Sequence, residues 1–176
     1  MIVAKSNLEV AIKASLHAGK EIIRIYNDTK ADLELELKTD DSPLTVADRN
    51  ANEVILSYLS QTSFPVLSEE GGEFPYEVRK DWALFWMVDP LDGTKDFLRR
   101  NGEFTVNIAL ISNREPVLGV IYIPDRQVLY FAEKGSGAFK ITDVVWDDAA
   151  DWNKLLLRAV KLPLPMYREG VIVASS

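Results

Sequence analysis

Residues 84–98, LFWMVDPLDGTKDFL, constrain this chain more than any other stretch. An apolar run, Leu84 to Val88, empties into Asp89, Pro90, Leu91, Asp92, Gly93 and Thr94, and the residues after it read as a helix start. Short and bounded by Pro and Gly, the run reads as a buried strand rather than a helix. Asp89 then closes the strand and Asp92 sits at the turn, so the two carboxylates converge on one point. Like charges held that close raise each other's proton affinity unless a cation is present. A hard divalent ion relieves the cost, and Mg2+ takes carboxylate and carbonyl oxygens. The competing reading is structural: Asp89 ends the strand and Asp92 caps the following helix.

Composition limits what a metal here would serve. The 176 residues suffice for one domain with a sizeable core. A net charge of -7 argues against affinity for the backbone of a nucleic-acid polymer. It is compatible with a small phosphorylated substrate, because a bound cation reverses the local sign. Without cysteine the chain has neither a disulfide framework nor a thiolate zinc site. No apolar run approaches the roughly 18 residues of a membrane span, and the first residues lack a basic leader followed by an unbroken apolar stretch. The expected location is the cytoplasm or the cytoplasmic side of a membrane.

Read in order, the chain opens with a helix over Leu8 to Tyr26, capped by Asn7 or Ser6, its apolar residues recurring at helical spacing. His17, the sole histidine, lies in it as a surface or half-buried residue. LELELK, Leu33 to Lys38, alternates as a half-buried strand. Ser42-Pro43 marks a turn or extended segment, and Thr45 or Asp48 begins a helix carrying Val54, Ile55, Tyr58 and Leu59 inward. Asp48 then stands at the positive end of a helix dipole, where a carboxylate stays ionised; taken alone, such a feature is a cap more often than a catalytic group. Phe64 to Leu67 is another short apolar run, and it ends in Ser68, Glu69 and Glu70. If its strand lies beside the one ending at Asp89, Glu69 completes a three-carboxylate oxygen site; otherwise this is an acidic loop.

Glu77 to Trp82 reads as a charged connector, and Lys95, Arg99 and Arg100 as a local positive patch. Alternation in FTVNIALI and VLGVIYI predicts an antiparallel meander over Thr105–Ile111, Pro116–Tyr122, Gln127–Glu133 and Gly137–Ile141. KGSG at Lys134 lacks the spacing of a phosphate-binding P-loop. Patterning alone therefore gives an α+β domain over 1–141. Residues 142–176 read as a connector, with a helix before Pro163 and Pro165, and the start of a second domain at VIVASS.

KTDDSPLTVAD (Lys38 to Asp48), SEE (Ser68 to Glu70) and DPLDGT (Asp89 to Thr94), followed by FTVNIALI, stand in the order and spacing of a known family. The chain resembles the lithium-sensitive, magnesium-dependent phosphomonoesterases, which include inositol monophosphatase, fructose-1,6-bisphosphatase and 3'(2'),5'-bisphosphate nucleotidase. The resemblance implies the amino-terminal part of the layered αβαβα sugar-phosphatase fold, with helices packed on a mainly antiparallel sheet. It also implies two or more Mg2+ ions in a complete enzyme. Glu69, Asp89 and the carbonyl of Leu91 correspond to ligands of one ion, and Asp89 and Asp92 to ligands of a second. Thr94 and Asp48 correspond to the pair that acts on the attacking water, while Gly93 and Thr94 offer backbone N–H groups to the substrate phosphate.

Lys95, Asp96 and Phe97 after DGT resemble the nucleotidase branch. That implies adenosine 3',5'-bisphosphate as substrate, AMP as product and a role in disposing of a by-product of sulfate activation. Inositol monophosphate is the alternative substrate, and an inactive phosphatase-like binding module the alternative class. The family's further aspartate, in a Trp-Asp motif after a VxxSR segment, is missing: WDDAAD precedes VIVASS, and Asp147 reads as a coincidental acidic helix start. The chain is thus expected to be the front part of something longer, an incomplete catalytic unit with an exposed apolar face that invites self-association or homodimerisation.

Overall fold

The computed structural model describes residues 6–28, 36–37, 43–72, 74–144 and 151–163. Helix α1, Asn7–Asn27, is capped by Ser6, whose side chain accepts from the amide of Glu9. Of the two caps the sequence offers, the serine serves and Asn7 is the first helical residue. Short strands β1 (Glu36–Leu37) and β2 (Pro43–Leu44) pair antiparallel, so Pro43 lies in an edge strand. Helix α2, Val46–Leu59, follows Thr45 directly. Its inward stripe of Ala47, Ala51, Ile55 and Leu59, spaced by four, packs on α1 and on the sheet. His17 is half-buried and stacks on Tyr58 across the two helices at 5.1 Å.

The chain then builds its sheet from β3 (Val66–Ser68), β4 (Leu84–Asp92), β5 (Thr105–Ser112), β6 (Glu115–Ile123), β7 (Val128–Glu133) and β8 (Gly137–Ile141). Strand β9, Val160–Lys161, extends it beyond Ile141 by pairing with β8. Strand order follows chain order, and β3–β4 is the single parallel pair among the described strands. The expected connector at 77–82 contains a one-turn helix, α3, Tyr76–Arg79. Two more short helices are α4, Thr94–Arg99, and α5, Trp152–Leu156, the latter capped by Asp151. Asp147 and residues 171–176 lie outside the described residues.

Two long helices thus cover one face of a mainly antiparallel sheet, the architecture that the resemblance implies. The covered face is a continuous apolar layer: Trp86, Val88, Val106, Ile108, Leu118 and Val120 are nearly inaccessible. Trp86 satisfies its indole N–H on the Thr62 hydroxyl at 2.9 Å. Gly19 lets α1 approach β6, because a Cβ there would lie 2.4 Å from the ring of Tyr122. On the opposite face Met87 and Ile121 are 45% and 47% exposed, so this second face is also apolar and lies open.

Candidate active site

In a regular strand Asp89 and Asp92 would point to opposite faces, since side chains alternate with period two. The structure resolves this with a β-bulge. Asp89 pairs with Asn107 and Asp92 with Thr105, so two residues, Pro90 and Leu91, oppose the single Val106. The extra residue shifts the phase, and both carboxylates line the same cavity on the open face with Thr105 and Asn107. The sequence predicts that the strand ends at Asp89 with Asp92 in a turn; the ladder in fact continues to Asp92, and the sharp feature is a bulge inside it.

The parallel pairing supplies the third carboxylate. Ser68 is in register with Val88, and the amide of Glu69 donates to the carbonyl of Val88 at 3.0 Å, which carries Glu69 to the level of Asp89. Asp89 is pushed up to about 7, chiefly because it is partly buried, then by the charges of Glu69 and Asp92 and by a hydrogen bond shared with Glu69; the Leu91 amide opposes this. Its Oδ1 is buried with no hydrogen-bond partner among the described residues. An orphaned buried carboxylate oxygen beside two like charges is the chemistry a hard cation satisfies. No three acidic or imidazole groups among the described residues close into a compact cage. Asp92 is exposed and accepts from Asn107 Nδ2 at 3.2 Å.

Behind the carboxylates stands a hydroxyl–carboxylate pair. Asp48, 1% exposed, forms a capping box with Thr45: its Oδ2 accepts from the Thr45 amide at 2.8 Å and the Thr45 hydroxyl at 2.5 Å. Its other oxygen accepts from the Thr94 hydroxyl at 3.0 Å. Thr94 also lies 3.3 Å from the Leu91 carbonyl. The cap and the site therefore share one carboxylate. Gly93 makes the corner between β4 and α4 with φ +94, and a Cβ there would lie 2.7 Å from the carbonyl oxygen of Glu103. Gly93 and Thr94 form the head of α4, where the first N–H groups have no partner within the helix.

Two polar residues escape the sequence reading. Asn52, one turn after Asp48 on α2, accepts from the Ser68 hydroxyl at 2.7 Å and donates to the Glu70 carbonyl at 3.3 Å, fixing the SEE turn. Asn107 holds Asp92. Both left a trace: Asn52 is four residues from Asp48, and Asn107 is a polar residue in FTVNIALI. The expected positive patch does not form as a unit. Arg99 lies 3.8 Å from Asp96, while Arg100 donates to the Tyr26 carbonyl and stacks 5.3 Å over its ring. Lys95 is exposed and makes neither an ion pair nor a side-chain hydrogen bond among the described residues.

This α+β scaffold, with three carboxylates at one sheet end and a Thr–Asp pair behind them, belongs to the inositol monophosphatase family, whose pattern matches residues 4–155. Among curated relatives, the 3'(2'),5'-bisphosphate nucleotidase CysQ of Salmonella typhimurium is 49% identical over 130 residues, 73% of this chain and 52% of that protein. CysQ of Shigella flexneri is 41% identical over 160 residues, 89% of this chain and 61% of that one. The crystal structure of CysQ from Bacteroides thetaiotaomicron superposes with a TM-score of 0.82 at 47% identity, over 96% of this chain and 62% of the other. The suhB protein of Bartonella henselae gives 0.65 at 38% identity, over 74% and 49%. The chain thus spans between half and about three-fifths of the length of these curated relatives. No helix among the described residues is long and apolar enough to cross a membrane.

Proposed function

We propose that this chain carries the metal-ligating wall of a magnesium-dependent phosphomonoesterase that removes the 3'-phosphate of adenosine 3',5'-bisphosphate in the cytoplasm, leaving AMP and inorganic phosphate. One observation carries the reading: the bulge in β4 turns Asp89 and Asp92 to the same face, level with Glu69 and in front of the Thr94–Asp48 pair. Glu69, Asp89, Asp92 and the Leu91 carbonyl would hold Mg2+, and the orphaned Oδ1 of Asp89 fits that role. When bound, the cation lowers the pKa of water and offsets charge on the phosphoryl group.

The chain's own residues do the rest. Asp48, fixed by two hydrogen bonds from Thr45, leaves one oxygen to accept from Thr94. Thr94 thereby has its proton directed toward Asp48 and a lone pair directed away from it. That is the arrangement of a hydroxyl that takes a proton from water while passing its own to a carboxylate. Gly93 admits close approach of a phosphate to the backbone of the corner. Exposed Lys95, next to Thr94, supplies a cation for the second phosphate of a bisphosphate substrate, which favours the nucleotide over inositol monophosphate. The carboxylates form one open wall, so the chain alone is expected to bind Mg2+ and turn over weakly.

Calorimetry with Mg2+, paired with phosphate release from adenosine 3',5'-bisphosphate and inositol 1-phosphate at equal concentration, tests this reading. Mg2+ binding that is lost in Asp89→Asn, with release favouring the nucleotide, is expected. Preference for the inositol substrate would overturn the nucleotidase assignment. Absence of Asp89-dependent Mg2+ binding would overturn the metal reading and leave a phosphatase-like binding module.

A further inference from the structure

At the amino-terminal end of β4, away from the carboxylates, a cavity of about 650 Å³ is lined by Tyr76, Arg79, Lys80, Trp82, Phe85 and Arg114, together with Asp81. Three cations against one carboxylate give it a positive balance in a chain whose net charge is -7. Its aromatic side is fixed from below: Trp82 packs edge-on against Phe74 at 5.0 Å and tilted against Phe85 at 5.8 Å. Tyr76 is 63% exposed and carries the Arg79 guanidinium 5.7 Å above its ring. Lys80 is paired with Glu77. Arg79 and Arg114 therefore present the charge that the protein itself leaves open.

Arg114 stands where the backbone disfavours it. Asn113 and Arg114 form the two-residue turn between β5 and β6 with φ of +49 and +69. Such turns favour Asn followed by Gly, because the second residue also occupies the left-handed region. The chain keeps Asn and replaces the glycine with arginine. Among the described residues that arginine makes no ion pair and no side-chain hydrogen bond, so it contributes nothing visible to the fold. What it does is add an arginine to the lining of the aromatic cavity.

We propose that this cavity is a second ligand site, for a small planar aromatic anion of the mononucleotide class. The ring would lie on the Trp82–Tyr76 surface, and the phosphate between Arg79 and Arg114. Aromatic surface alone accepts any planar ring, and cations alone accept any anion. Together in one cavity they select a ring that carries a phosphate. The site needs no metal and shares no residue with the carboxylate wall, which lies up to about 25 Å away along β4 at the rise of an extended strand.

The test is AMP binding to the whole chain in EDTA, which removes any contribution of a metal-dependent site. Tryptophan fluorescence and calorimetry are the readouts, with adenosine and inorganic phosphate as comparison probes. Saturable binding of AMP with a Kd of about 1 mM or tighter is expected, weakened about tenfold or more in Arg114→Gly. That variant gives the turn its preferred residue, so its melting temperature should equal or exceed that of the parent and a folding defect cannot account for the loss. Trp82→Phe, which keeps the aromatic packing, should weaken AMP without changing the affinity for phosphate. No saturable AMP binding, AMP binding unchanged in Arg114→Gly, or adenosine binding as tightly as AMP would each overturn the proposal. So would affinity that appears only with oligonucleotides and grows with their length, because the patch would then be a polymer surface. None of these outcomes depends on Mg2+ binding or turnover at the carboxylates.

Discussion

Asp89 is held at about 7, whereas a carboxylate in an unfolded chain titrates near 3.9. The metal-free fold therefore keeps a proton that the unfolded chain has lost, and its stability falls as pH rises from about 4 to about 7. Removing the charge should reverse this. In EDTA at pH 8, Asp89→Asn is expected to raise the melting temperature by about 2–4 °C, a modest gain because the group is only partly buried and solvent screens it. At pH 4 the two proteins should melt together. Scanning calorimetry at both values checks the sign, and a less stable variant at pH 8 would refute the electrostatic account. Thr94→Val makes the complementary case. Asp48 keeps its two bonds from Thr45, so the loss in stability should stay near 1 kcal/mol, while phosphate release at saturating Mg2+ falls by about 100-fold. Thr94→Ser should restore most of the release. At this scale the sequence was legible in residue type, and in partnership only through the resemblance, which pairs Thr94 with Asp48. Capping and catalysis are competing readings of Asp48 on paper; in the fold one oxygen serves the cap and the other accepts from Thr94. Nothing in the spacing of residues 48 and 94 shows that a hydroxyl and a carboxylate 46 positions apart will meet.

Among the elements, β4 decides whether there is a site. Its alternation of exposed Met87 with buried Trp86 and Val88 would continue and separate Asp89 from Asp92 were it not for the bulge. The motif's Pro90 and Gly93 signal a break in regular structure, yet whether the break is a turn or a bulge depends on pairing with β5, which lies beyond the local sequence. The same holds for β3 beside β4, where a parallel pair requires a crossover, and for β9, a two-residue edge strand too short for any period. Most of the meander was legible because β5, β6 and β7 alternate over a buried and an open face. Two glycines test how far packing fixes these elements. Gly93→Ala must place a Cβ 2.7 Å from the Glu103 carbonyl at a positive φ, so it is expected to cost about 1–3 kcal/mol and to weaken Mg2+ binding through the displaced corner. Gly19→Ala drives a methyl into the buried Tyr122 ring and should cost about 1–3 kcal/mol by overpacking, with no comparable effect on Mg2+ affinity. Denaturant melts and metal titrations of the two variants separate a defect at the site from one remote from it.

The whole molecule is lopsided, with the two long helices packed over one face of the sheet and neither over the other. Across the open face the register sets Met87, Ala109, Gly119, Ala132 and Ala138 in one row, and Asp89, Asn107, Ile121, Tyr130 and Lys140 in the next. The first row runs from a large residue at β4 to small ones at β7 and β8; the second runs from an acid to a base. A second copy turned about a two-fold axis along β6 would set Met87 over the partner's small residues and Asp89 toward the partner's Lys140, with Ile121 meeting its own counterpart. Both rows are thus self-complementary under one operation, as an isologous interface requires. Apolar surface of this extent is costly to leave in water. The 176-residue chain is accordingly expected to self-associate at micromolar concentration, read by sedimentation velocity. Ile121→Lys should return it to a monomer, since it sets two like charges at the axis, and its helical signal should be unchanged because the side chain is already half exposed. Lys140→Glu should weaken the association, and raising salt should diminish the difference between that variant and the parent. Association that survives Ile121→Lys would place the contact elsewhere, on the β3 or β9 edge, where unpaired backbone groups offer the other route for one sheet to join another.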